Sequence, residues 1–482
     1  MIILKLFLKK IIPSEQRRRL RDIQHSLINF FSPGYQSWIK KYDQAVDKSA
    51  MQQISFQPLI SVVVVGERSA SLAGSFQRQT YSNWEYVERP DLAKSEWLAF
   101  VQPCGRLADD ALYQMVRMLN QDPSANLVYA DIDYINPQGK RCRPYFKPDW
   151  DPFLFLSHDY LLPFFIVQKK WAAEPKNAPH IKHAPFILYH SYENRSCQYS
   201  EPVFSLPTGL PFISIIIPTK DGVEMLKACI SSIIITTKVA QFEIIIINNN
   251  SEQLETINYF KAIASDQVRV LDYPYPFNYS AINNFAVKQA RGDILLFLND
   301  DVEAISKGWI ESMLGILLQP NVGIVGATLY YPDLTLQHAG VIIDNNGAAI
   351  HINARTKRKV LTRCFSAVTG ACLMIKKSIF EQVGGFDEVL FPITFNDIDL
   401  CGKVRELGAL VVLDAHAKLY HKESATRGSD ASPEKKARAE KEAKSFLKKW
   451  NFQIGSDPYY NPNLSFKLPG YGLAFPPRVS RK

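Results

Sequence analysis

Residues 211–222 read PFISIIIPTKDG: a proline, a β-branched run broken only by one serine, then a polar turn. A short apolar run bounded in this way predicts a parallel strand buried on both faces. PLISVVVVGERS at 58–69 has the same shape, so the frame occurs twice in one chain. Each copy continues with a helical stretch and a second strand, NWEYVE (83–88) and QFEIIIINNNSE (241–252). A third frame follows, LAFVQPCGR (98–106) and LLFLNDDVE (295–303), each leading into a helix, ADDALYQMVRML (108–119) and KGWIESMLGILL (307–318). Strands alternating with helices predict a doubly wound α/β sheet, here in tandem.

In such sheets ligands bind beyond the carboxyl ends of the strands, so the turns decide which copy is equipped. The second copy places Thr219-Lys220-Asp221, Asn248-Asn249-Asn250-Ser251 and Asn299-Asp300-Asp301 there. The first copy has Gly66-Glu67-Arg68, Glu88-Arg89-Pro90 and Gln102-Pro103-Cys104. Adjacent carboxylates at a strand end are the hard oxygen ligands that Mg²⁺ and Mn²⁺ prefer, usually shared with phosphate oxygens. Taken alone, the acidic turn is equally a cap for the helix beginning near Ser306. Two further segments argue for a site. FNDIDLCGKVRELG (395–408) sets Asp397 and Asp399 just before a helix, where a carboxylate serves either as a general base or, with Asn396, as an N-cap. VVLDAHAKLYHKES (411–424) ends a strand with His421 on the same side of the sheet.

With 482 residues, 46% hydrophobic and 21% charged, the chain suits two globular domains plus tails. The net charge of +9 is concentrated at the N-terminus, where residues 1–48 hold ten lysines and arginines against four acids. MIILKLFLKKII is too short to span a bilayer, and its lysines and missing cleavage site do not suit a signal peptide. It reads either as an amphipathic helix on an anionic membrane surface or as a charged helix packed on the body. Nucleic acid is not expected as a partner, because no base-reading module accompanies the basic arm. Seven cysteines without CxxC spacing suit buried, reduced thiols and a cytoplasmic setting.

YPYPFNYSAINNFAVKQARGDILLFLNDDVE, LQHAGVII, VTGACLMI, VGGFDE, FNDIDLC and LYHKESATRG, in order over 212–428, resemble family 2 glycosyltransferases of the GT-A fold. The likeness is greatest to the rhamnosyltransferase-like group that builds bacterial surface polysaccharides. QTYSNWE, ADDALYQMV, LVYADIDYIN and RPYFKPDWDP resemble the same family over 58–155, without the metal motif or the base segment. The resemblance implies two tandem GT-A-like, Rossmann-like domains with mixed sheets. The expected boundaries are a basic helical arm over 1–55, a degenerate domain over 56–205, a catalytic domain over 206–428, and a charged helix with a Pro-rich tail over 429–482.

Carried over, the resemblance implies that Asp397 is the catalytic base and that Asp301 and His421 hold a divalent metal, Mn²⁺ or Mg²⁺. Pro218, Thr219 and Asp221 would line the base and ribose, with Asn248 and Asn249 in the next turn. Asn248 stands where the family more often has Asp. Asn278, Asn283 and Arg291 would contact nucleotide or diphosphate. Asn299 and Asp300 complete the Asp-x-Asp-like motif, with Asn in its first place. Asn396, Asp399 and Gly370 would support the base. The basic loop HINARTKRKV (351–360) either covers the diphosphate, meets an anionic acceptor or is simply solvated, and 432–450 is a lid or packing helix. The function implied is inverting sugar transfer from a UDP- or dTDP-sugar to a lipid-linked surface glycan at the cytoplasmic membrane face. The alternatives are an inactive sugar-nucleotide-binding or assembly protein of the same pathway, or nucleic-acid binding through the arm.

Overall fold

The computed structural model describes residues 34–481 apart from 47–48, 50–53, 68, 193–198, 239–240, 345, 355–358, 423–431, 452–456 and 467–470. Two compact units emerge: Met1–Ser200 with Pro458–Lys482, and Glu201–Asp457. The proposed membrane arm therefore lies mostly outside the described residues, as does most of the basic loop's charge at 355–358. No helix among the described residues is long and apolar enough to cross a membrane.

Unit 1 contains strands β1 (Ile60–Val64), β2 (Trp84–Val87), β3 (Trp97–Val101), β4 (Gly105–Leu107), β5 (Leu127–Ile135), β6 (Arg141–Tyr145), β7 (Phe164–Gln168) and β8 (Ile181–Ser191). Its helices are α1 (Tyr35–Tyr42), α2 (Ala70–Gln77), α3 (Ala111–Gln121) and α4 (Pro152–Ser157). The sheet order is β2-β1-β3-β7-β5-β8-β4, with β6 paired to β5.

Unit 2 contains β9 (Ile213–Thr219), β10 (Phe242–Asn248), β11 (Val268–Asp272), β12 (Ile294–Leu298), β13 (Val302–Ala304), β14 (Val322–Tyr330) and β15 (Leu336–His338). It continues with β16 (Val341–Ile343), β17 (Ala349–His351), β18 (Arg363–Cys364), β19 (Cys372–Lys376) and β20 (Leu410–His421). Its helices are α5 (Val223–Thr236), α6 (Leu254–Ile263), α7 (Tyr279–Gln289), α8 (Trp309–Leu317), α9 (Lys377–Gln382), α10 (Asn396–Glu406) and α11 (Pro433–Trp450). The order is β11-β10-β9-β12-β19-β14-β20-β13. The expected mixed α/β architecture is thus present twice.

The opening run behaves as its composition demands. Ile213, Ile215, Ile216 and Ile217 are fully buried, and β9 pairs in parallel with both β10 and β12. Ser214 is buried too, but its hydroxyl donates to Glu243 Oε1 at 2.7 Å, so the polar atom is satisfied. β19 runs antiparallel to β12, and β20 runs parallel to β14. Consequently the ends of β9, β12 and β20 and the start of β19 share one edge.

The C-terminal region expected as one piece is divided between the units. α11 belongs to unit 2, where Phe446 and Trp450 are buried. The tail from Pro458 belongs to unit 1 because its polar groups complete that unit's interior. Asn461 donates to Asp131 Oδ2 at 2.8 Å, and Asn463 donates to the Pro185 carbonyl at 2.8 Å. Arg481, 4% exposed, is paired with Asp43 and Asp110. The end of the N-terminal arm also docks here: Trp38 of α1 is buried against Phe146, and Tyr35 donates to Asp133 Oδ2 at 2.6 Å. Of the six described cysteines, Cys229, Cys364, Cys372 and Cys401 are buried.

Candidate active site

β12 delivers Asn299, Asp300 and Asp301 to the carboxyl edge of the unit 2 sheet, and the chain immediately turns back as β13. That turn rules out the helix-cap alternative: α8 starts at Trp309 behind Gly308, with no side-chain cap. Asp300 is buried, and Thr219 at the end of β9 donates its hydroxyl to Asp300 Oδ2 at 2.6 Å. β13 pairs antiparallel with β20 so that Val302 faces His421. This register sets His421 Nε2 3.3 Å from Asp301 Oδ1. Asp301 is 6% exposed, and Oδ1 has no hydrogen-bond partner among the described residues.

Asp397 reaches the same edge from α10. β19 begins beside the end of β12, and Asn299 donates its N–H to the Ala371 carbonyl at 3.0 Å. The preceding residue, Gly370, donates its N–H to Asp397 Oδ2 at 2.8 Å, while Asp397 Oδ1 accepts from Ile398 N at 2.9 Å. Tyr279 Oη donates to the Gly370 carbonyl at 3.0 Å. A Cβ at Gly370 would lie 3.4 Å from both Asp397 Cβ and Tyr279 Oη, in ordinary van der Waals contact with each. The residue in the N-cap place is Phe395, with φ of 61° and no side-chain cap. A bulky residue in the left-handed region is strained, and here Phe446 of α11 stacks on its ring at 5.0 Å. Neither Asn396 nor Asp397 is therefore the cap; Asn396, buried, accepts from Asp397 N and donates to the Ile393 carbonyl.

The other sequence-proposed residues separate into bracing and remote groups. Pro218 is half-buried at the end of β9 beside Ile247. Asp221, with φ of 54°, accepts from Glu252 N and Gln253 N through Oδ1, and Asn248 accepts from Ser251 N while donating to Asp272. Asn249 donates to the Tyr273 and Tyr275 carbonyls. These amides and carboxylates hold the turns in shape. Asn278 caps α7 by accepting from Ala281 N and donates to the Glu388 carbonyl. Asn283 is buried within α7; its amide donates to the Tyr279 carbonyl, and Oδ1 has no partner among the described residues.

Two expectations need correction. Arg291 precedes β12, so the strand's five residues separate it from Asp300, about 17 Å at ~3.3 Å per residue. It lies at the opposite edge, donating its N–H to Glu243 Oε1, and cannot reach a diphosphate at the acidic turn. Asp399 is buried and faces α11, paired with Lys449 at 2.7 Å and accepting from Trp450 Nε1 at 3.0 Å. It fastens α11 to α10, two residues from the candidate base. α11 is thereby a packing helix.

Gln337 and Tyr279 were not assigned from sequence, although both fall in stretches that carried the resemblance. Gln337 Oε1 lies 2.7 Å from His421 Nδ1, and Gln337 Nε2 donates to the His421 carbonyl at 3.1 Å. Next to it, His338 is buried, and burial, with His351 and His421 nearby, pushes its pKa well below the usual histidine value. It stays neutral, accepting from Gly340 N and meeting His351 Nδ1 at 3.0 Å. Burial, with Asp300 and Asp301 close by, pushes the Cys229 thiol well above its usual pKa, and its Sγ donates to the Asn299 carbonyl at 3.7 Å.

The donor set fits a hard divalent cation shared with a ligand's phosphates. Asp301 and His421 supply a carboxylate oxygen and an imidazole nitrogen, and no group of three or more His, Cys, Asp or Glu suited to a metal exists among the described residues. An orphaned buried carboxylate oxygen aimed at that nitrogen is what a bound cation would satisfy.

Residues 214–384 match the family described as Glycosyl transferase family 2. Unit 2 carries a family 2 glycosyltransferase domain. The family 2 match ends before Asp397 and His421, which rest on the resemblance of their own segments and on the geometry above. The chain is similar to the uncharacterised protein y4gI of Sinorhizobium fredii, 35% identical over 80% of this chain and 50% of that protein. It is also similar to the O-antigen biosynthesis protein RfbC of Myxococcus xanthus, 30% identical over 79% of this chain and 34% of that protein. The chain thus spans half or less of these relatives. Among solved structures, the mannosyltransferase PcManGT of Pyrobaculum calidifontis, in complex with GDP-Man and Mn²⁺, aligns at 13% identity and a TM-score of 0.39, covering 54% of this chain and 71% of that one.

Proposed function

We propose that unit 2 is an inverting, cation-dependent glycosyltransferase moving a sugar from a UDP- or dTDP-sugar to a hydroxyl of a growing, lipid-linked bacterial surface glycan. One observation carries this function: the edge that holds Asp301 against His421 also holds Asp397, linked through Gly370, Ala371 and Asn299. A sugar hydroxyl is a weak nucleophile, and Asp397 takes its proton as it attacks the anomeric carbon. The N–H groups of Gly370 and Ile398 each occupy one oxygen of Asp397, leaving lone pairs on both for that proton. One displacement assisted by one base inverts the anomeric centre. Asp301 and His421 would hold Mn²⁺ or Mg²⁺, which supplies charge stabilisation to the departing diphosphate. Thr219 and Asp300 brace the turn that sets their spacing, and the loops knitted by Asp221, Asn248 and Asn249 shape the donor's seat.

Similarity to a protein named for O-antigen biosynthesis supports a surface glycan as acceptor. Unit 1 serves as scaffold or acceptor platform, since its matching turn is Gln102-Pro103-Cys104. Transfer from UDP-, dTDP- and GDP-sugars, measured with Mn²⁺ and with EDTA, tests the function. Cation-dependent transfer from one donor class is expected, and turnover unaffected by EDTA would refute the cation's part.

A further inference from the structure

Resting on that cation site, we propose that Gln337 is a positioning residue that keeps His421 in the one tautomer able to bind the cation. Gln337 lies in β15, three residues long and paired with β14, and its amide grips His421 at two points. Nε2 donates to the His421 carbonyl at 3.1 Å, which only an N–H can do, so the amide cannot be turned the other way without losing that bond. Oε1 then faces Nδ1 at 2.7 Å. An amide oxygen only accepts, so Nδ1 carries a proton. In the neutral ring Nε2 is left with a bare lone pair, and it points at Asp301 Oδ1, 3.3 Å away.

Two acceptors facing one another at that distance need a positive charge between them. The same amide contact that dictates the tautomer also fixes the ring plane, because the carbonyl it grips belongs to the same residue. Outer partners of this kind govern the affinity of ligating histidines for metals. A glutamine does this without adding charge beside Asp301, whereas a bare backbone carbonyl would hold only one of the two atoms.

The test is calorimetric titration of the full chain with MnCl₂ in the presence of UDP and, separately, dTDP. Gln337→Met is expected to weaken Mn²⁺ binding by about 10- to 100-fold with an unchanged thermal midpoint. Gln337→Asn, too short to reach Nδ1, should do the same and stands in if the methionine variant does not fold. Gln337→Glu, which keeps the acceptor, should restore most of the affinity. In a His421→Ala background the Gln337 substitutions should add no further loss. Wild-type affinity in both Gln337→Met and Gln337→Asn, or a full loss persisting without His421, overturns the inference while the cation site stands. Absence of Mn²⁺ binding by the wild-type chain with either nucleotide overturns both.

Discussion

Unit 1 and unit 2 lay down equivalent strands in one order, and they differ most where the strands end. Removing β11 from unit 2 leaves β10-β9-β12-β19-β14-β20-β13, which parallels β2-β1-β3-β7-β5-β8-β4 strand for strand. Both units lock the start of the central strands with a serine and a glutamate. Ser61 donates to Glu85 at 2.6 Å, and Ser214 donates to Glu243 at 2.7 Å, in matching register. Both break the parallel ladder at the same place, between Ala130 and Asp131 and between Ala327 and Thr328. At the carboxyl edge the likeness stops. Ser191 occupies the register position of His421, and Cys104 that of Asp301. Between β7 and β8 only residues 169–180 intervene, whereas 377–409 between β19 and β20 contain the helix bearing Asp397. The sheet is specified by its buried strands and their starting locks, while the carboxylates and the imidazole sit on turns and strand ends that the sheet does not need.

The sharpest way to break this comparison is to disable one unit at a time. Asp397→Asn should lower transfer by about 10²- to 10⁴-fold in a donor-to-acceptor assay while nucleotide-sugar binding persists. Cys104→Ala, at the matching edge of unit 1, should leave transfer unchanged; a comparable loss there would give unit 1 a catalytic part. Next comes Arg481→Met, which leaves Asp43 and Asp110 buried without their shared partner. It should destabilise unit 1 by about 3–5 kcal/mol, seen as lost hydrogen-exchange protection in unit 1 with unit 2 unaffected.

A smaller effect separates the units by pH. Burial alone would lower the pKa of His183, but Asp131 at 2.8 Å, aided by Asp149, outweighs it and raises the value to about 9. The unfolded histidine titrates near 6.5, so this pairing stabilises unit 1 fully below about pH 6.5. That contribution should fade as pH rises through about 9, and His183→Gln should abolish the dependence in chemical denaturation. Leu413 and Thr328 stand in the corresponding places of unit 2, which should lack it. Smallest of all, Ser61→Ala and Ser214→Ala should each cost about 1 kcal/mol of denaturation free energy, and by similar amounts if the two locks are equivalent.

Much of this organisation is legible in residue pattern. The isoleucine runs announce buried strands, and LAFVQPCGR beside LLFLNDDVE announces one equipped copy. Position within a strand also carries information that the residue type of Arg291 conceals: lying before β12 rather than after it, the arginine belongs to the other edge. Asp399 was misplaced for a different reason. Residues 397 and 399 differ by about 200° around a helix, so one faces the sheet edge while the other faces α11. Gln337 was invisible because a glutamine beside a histidine has no sequence signature until the strand carrying His421 is laid next to it.

By itself, then, the amino-acid order determined the twofold repeat, the α/β class and which copy holds carboxylates at its strand ends, since these follow from hydrophobic period and turn composition. Only the tertiary structure decided that His421 meets Asp301 through the pairing of β13 with β20, that Asp397 joins them through Gly370, and that the C-terminal tail completes unit 1. Each of those depends on residues far apart in the chain, whose meeting is dictated by sheet order and register.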